Sequence, residues 1–73
     1  MTFGEMLLKL MNEKGISQAE LARRSGVSKQ SITELVKGRS KEPTFSKAKA
    51  IADALGVSLE EMARMVFEDD DAS

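Results

Sequence analysis

The stretch Gln18-Ala19-Glu20-Leu21-Ala22-Arg23-Arg24-Ser25-Gly26-Val27-Ser28-Lys29-Gln30-Ser31-Ile32-Thr33-Glu34-Leu35-Val36-Lys37 holds two short helices and a single tight turn. Ser17, just before it, stands three residues ahead of Glu20. At that spacing a hydroxyl and a carboxylate can cap a helix start reciprocally. Ile16 and Leu21 flank this start as a hydrophobic staple. Gly26 tolerates the positive φ that a sharp turn demands. Ser28 opens the second helix, with Val27 and Ile32 as its staple pair. So few residues between two helices force them to cross steeply, at roughly 90–120°. The crossing needs a small side chain where the helices touch, and Ala22 supplies it. It also needs an apolar anchor pointing back at the turn, and Ile32 supplies that. Leu21 and Leu35 extend the same interior, and Gly38 ends the second helix.

Outward from this unit the chain reads as helix throughout. Thr2-Phe3-Gly4-Glu5 is a capping box, followed by Phe3, Met6, Leu7, Leu10 and Met11 on one face and a stop at Gly15. Thr44 caps a fourth helix whose inner face is Phe45, Ala48, Ile51, Ala52 and Leu55, stopped by Gly56. Ser58-Leu59-Glu60-Glu61 is a further capping box, stapled by Val57 and Met62. The expected helices are 3–13, 18–24, 29–37, 45–55 and 59–66. They make one all-α domain over residues 1–67, followed by an acidic, disordered tail at 68–73. No alternating strand pattern or hairpin dipeptide interrupts them.

Composition narrows the function. With 73 residues there is room for one core, because a chain this short buries only about 60% of the surface it exposes when unfolded. The chain has neither Cys nor His, which removes thiolate metal sites, disulfides and the usual general base. No Gly-rich phosphate loop or acidic metal cluster is present. An enzyme is therefore disfavoured, and no metal or cofactor is expected. Apolar runs are too short to cross a membrane, and the N-terminus lacks a signal-peptide layout, so a cytoplasmic protein is expected.

The 11 basic and 12 acidic residues sum to −1, but they are not evenly placed. Residues 14–49 carry nine basic and three acidic side chains, net +6, whereas residues 50–73 carry one and seven, net −6. Distribution governs which surface attracts a polyanion, so the basic middle outweighs the neutral total.

Several small motifs recur in order. Gln18-Ala19-Glu20-Leu21-Ala22, Ser25-Gly26-Val27-Ser28, then Ile32 and Leu35 resemble the helix-turn-helix of the lambdoid phage repressor and Cro (XRE-like) family. Lys37-Gly38-Arg39, Pro43-Thr44, Ile51-Ala52 and Ala54-Leu55-Gly56-Val57-Ser58 extend the resemblance across about residues 2–66. It implies a compact five-helix, lambda-repressor-like domain that binds operator DNA, commonly as a dimer on a palindromic site.

With Ile32, Leu35 and Val36 facing inward, the third helix presents Lys29, Gln30, Thr33, Glu34 and Lys37 outward. The resemblance assigns base reading to Lys29, Gln30, Thr33 and Glu34. Their chemistry suits the major groove: Gln30 pairs with adenine, Lys29 donates to guanine, Glu34 accepts from cytosine N4, and Thr33 offers a methyl to thymine. Glu34 would be repelled by phosphates, which points to one selected cytosine. Phosphate contacts are expected from Gln18, Ser28, Lys37, Arg39, Ser40, Lys41 and Thr44, at helix starts and in the loop after the third helix. In the family, the glutamine matching Gln18 contacts phosphate.

The last helix carries more apolar residues than a small core needs. Leu59, Met62, Met65, Val66 and Phe67 are the expected homodimer interface. Two other readings stay open: an antitoxin-like protein holding a protein partner through this C-terminal helix, and a helical interaction module that binds no DNA.

Overall fold

Each of the five helices starts on a hydroxyl. In the computed structural model, which describes residues 1–39 and 43–71 (the backbone alone for 68–71), these starts define α1 (Phe3–Lys14), α2 (Gln18–Ser25), α3 (Lys29–Val36), α4 (Phe45–Leu55) and α5 (Leu59–Asp71). The side chains of Thr2, Ser17, Ser28, Thr44 and Ser58 accept from the amides of Glu5, Glu20, Ser31, Lys47 and Glu61. Each such cap satisfies an otherwise unpaired donor and is worth about 1 kcal/mol. At Thr2 the box is complete, because Glu5 Oε1 also accepts from the Thr2 amide at 2.8 Å. At Ser17 only half of the expected box forms. The Glu20 carboxylate turns along the helix to Arg23 and Arg24, and two cations outcompete one backbone amide for it.

The core is one cluster at the centre of the bundle. Met6 and Leu7 of α1, Leu21 of α2, Ile32 of α3 and Ile51 of α4 are fully buried there. α2 packs on both α3 and α4, while α1 packs on α3, α4 and α5. No strand occurs among the described residues. None of the described helices is long and apolar enough to cross a membrane.

Three sequence expectations change here. The third helix ends at Val36 instead of Lys37, which becomes the C-cap, with the turn to the left-handed region at Gly38, φ 81°. α5 continues to Asp71, five residues past its expected end, so the backbone of 68–71 is helical where a disordered tail was expected. Extending an existing helix fixes one residue per new hydrogen bond, so the formed α5 can propagate into polar sequence without an apolar face to drive it. Ala72 and Ser73 lie outside the described residues. Finally, Phe45 does not line the core but is 76% exposed. Its spacing puts it on the correct face of α4, but as the first residue of the helix it projects beyond the core's edge.

Candidate nucleic-acid interface

The reading helix is set by what lies beneath it. Ile32 and Leu35 are buried and Val36 is half-buried, so the rest of α3 is turned outward. Lys29 and Gln30 are exposed on its first turn, Thr33 and Glu34 are half-buried on the next, and Lys37 is exposed at its end. The structure thus brings the four expected base-reading residues onto one outward face.

A contact that spacing could not reveal fixes the far end of α3. Gly4, buried in α1, lies against the last carbonyls of α3. A Cβ at Gly4 would overlap the Leu35 carbonyl oxygen and sit 3.0 Å from that of Val36. Because Gly4 lacks a side chain, the start of α1 can meet the end of α3 backbone to backbone. The same approach brings the positive end of one helix dipole to the negative end of the other.

Two side-chain hydrogen bonds tie α3 to its neighbours. Thr33 Oγ1 donates to Gln18 Oε1 at 2.7 Å, joining α3 to the start of α2. Lys47 Nζ donates to Ser31 Oγ at 3.5 Å, joining the first turn of α4 to α3. Ser28 Oγ also donates to Ser31 Oγ, at 3.0 Å. Lys47 was missed from sequence, and the signal was there: a lysine three residues past the Thr44 cap is on a helix's first turn. Its ammonium lies beside the start of α4, where the free amides of the first turn also attract an anion. Ser28 and Thr44 act as helix caps, which leaves the other amides of those first turns free to donate. Ser40 and Lys41, both expected to contact phosphate, lie outside the described residues.

The cations divide into two groups. Among the described residues, Arg23 and Arg24 are paired with Glu20, Lys49 with Asp53, and Arg64 with Glu60. Lys29, Lys37, Arg39 and Lys47 belong to none of these ion pairs, and neither do Lys9 and Lys14 of α1 or the acid Glu34. A cation that already contacts a carboxylate has part of its charge offset locally, although exposed pairs of this kind are weak. The cations of α3, its following turn and the start of α4 that stand outside these pairs carry no such offset.

Next to the turn that follows α3, an open apolar groove of about 850 Å³ runs between the N-terminal residues, Leu35 and Gly38 at the end of α3, the start of α4, and α5. Phe45 and Phe67, the latter 63% exposed, both line it. Leu59 and Val66 are half-buried beside them, and Met65, also half-buried, packs against the core outside the groove lining. Met62, read from sequence both as the staple partner of Val57 and as an interface residue, is 2% exposed and belongs to the core, so its inward reading holds and its place in the interface set does not.

Residues 7–62 match the model of the family described as Helix-turn-helix. An uncharacterized HTH-type transcriptional regulator, y4dJ, of Sinorhizobium fredii (strain NBRC 101917 / NGR234) is 42% identical over 55 residues, 75% of this chain and 70% of the relative. Repressor protein C of Rhizobium phage 16-3 is 39% identical over 64 residues, 88% of this chain. This match spans only 24% of the phage protein, about a quarter of its length. The fold matches that of SinR, the master regulator for biofilm formation, solved in complex with DNA. The TM-score is 0.79 at 24% identity, covering 84% of this chain and 97% of that one. The chain belongs to this helix-turn-helix family, whose members are DNA-binding transcription regulators and not enzymes.

Proposed function

We propose that this protein represses transcription by reading an operator with α3 in the major groove. The observation that carries the reading is the set of cations on and beside that helix that form no ion pair among the described residues, Lys29, Lys37, Arg39 and Lys47. The other described cations of α2, α4 and α5 contact acids on their own helices, and only Lys9 and Lys14 of α1 are also outside those pairs. The phage relative's name, a repressor protein, supports the sign of regulation. Lys29, Gln30 and Glu34 read base edges, with Glu34 accepting from a cytosine N4. Glu34 has no cation partner among the described residues, which supports a role other than a surface ion pair. Gln18, Ser28, Lys37, Arg39, Ser40, Lys41 and Thr44, with Lys47 added, hold the flanking phosphates and set register.

The working species is a homodimer on a palindromic site, paired through α5. Leu59, Met65, Val66 and Phe67 form its contact surface, with Phe45 at its edge and Met62 excluded by burial. A two-fold axis there sets two reading helices one DNA turn apart, about 34 Å. Selection from a random duplex pool tests the DNA reading: an enriched, two-fold symmetric sequence supports it, and no retention of duplex even at low salt contradicts it. Sedimentation at micromolar concentration tests the dimer. Wild type is expected to sediment as two chains, and the double change Met65→Ser, Phe67→Ser as one. A heavier species formed only with another protein would instead favour the partner-holding, antitoxin-like reading.

A further inference from the structure

The Thr33–Gln18 hydrogen bond assigns different work to two residues that share the DNA-facing surface. A glutamine amide has two ends of opposite character, and only its NH2 end can donate to a phosphate oxygen. Gln18 is the first residue of α2, where free backbone amides already favour an anion. Half a turn of its side-chain amide would present the oxygen there and repel that anion. With Oε1 held at 2.7 Å by the Thr33 hydroxyl, the oxygen is committed to the protein and the NH2 is the end left for DNA. The same bond uses the only proton the hydroxyl has, so Thr33 keeps none to donate to a base.

We propose that Thr33 is a positioning residue that orients the Gln18 amide toward the DNA backbone, and that it does not select a base. This rests on α3 being the major-groove helix. Base selection on α3 then falls to Lys29, Gln30 and Glu34, and the Thr33 side chain affects affinity for every sequence alike.

Two substitutions separate the hydroxyl from the methyl. Thr33→Val keeps a methyl able to touch thymine and loses the hydroxyl, whereas Thr33→Ser does the reverse. Each variant, with wild type, is put through selection from a random duplex pool. Affinities are then measured for the enriched duplex and for one unrelated duplex, also with Gln18→Ala and Gln18→Ala/Thr33→Val, at two salt concentrations. All single variants are expected to enrich the wild-type sequence. Thr33→Val should weaken binding to both duplexes by the same factor, about three- to tenfold, the worth of one hydrogen bond. Thr33→Ser should restore it. In the Gln18→Ala background Thr33→Val should have no further effect. The salt slope should not change, since a neutral amide releases no counterion. A new preferred base with either Thr33 variant, or additive losses in the cycle, would overturn the assignment. Wild type enriching no duplex would instead remove the reading of α3 itself.

Discussion

α2 and α3 are both eight residues long, both start on a serine cap, and both bury a leucine. They differ in how their charges are used. α2 carries an acid three and four residues ahead of its two arginines, and both arginines fold back onto it. α3 has its cations at Lys29 and, just past its end, Lys37, with Glu34 between them in no ion pair. Spacing accounts for most of this. Glu20 to Arg24 is an i,i+4 pair in the favourable order, whereas Lys29 to Glu34 is five residues and cannot meet on one helix face. Glu34 to Lys37 is three residues, but Lys37 is the C-cap and lies past the end of the helix. The helix that supports is electrostatically closed, and the helix that reads is open.

The largest expected effect comes from disturbing what holds the open helix from below. Gly4→Ala should drive a methyl into the Leu35 carbonyl and cost about 3 kcal/mol, read as a drop of more than about 10 °C in thermal midpoint. Ile32→Ala, at the buried centre of α3, belongs in the same range, about 2–4 kcal/mol by denaturant titration. Glu34→Gln should leave stability nearly unchanged but alter the selected sequence at one base pair, where discrimination of about 1–3 kcal/mol is at stake. Arg39→Ala should weaken all duplexes alike and reduce the salt slope by about one unit. Smallest of all, Arg24→Ala on the closed helix should change stability by no more than about 0.5 kcal/mol, since exposed i,i+4 pairs contribute little.

Much of this contrast is legible in sequence, because helix punctuation is local. Hydroxyls at Thr2, Ser17, Ser28, Thr44 and Ser58, and the glycines at 15, 26, 38 and 56, mark starts and stops within a few residues of where they act. The resemblance then carries the outward face of α3. Contacts between distant residues were not legible. Gly4 meets Leu35 across the bundle, and nothing in Thr2-Phe3-Gly4-Glu5 says that a glycine there does more than occupy a capping box. Thr33 reaches Gln18 and Lys47 reaches Ser31 only because α2, α3 and α4 converge. Phe45 shows the limit of periodicity, which gives a side chain's face but not whether anything lies opposite it.

The contrast between closed and open cations is tested most directly by salt dependence. Binding of the selected duplex is measured across salt concentrations for wild type, for Arg23→Gln/Arg24→Gln and for Lys37→Gln/Arg39→Gln. Each cation–phosphate contact contributes about 0.9 to the slope of log affinity against log salt. Neutralising Lys37 and Arg39 should flatten the slope by nearly two units, and neutralising Arg23 and Arg24 should leave it unchanged. A slope that falls with the α2 pair and stays with the Lys37 and Arg39 pair would contradict the assignment of the DNA-facing surface.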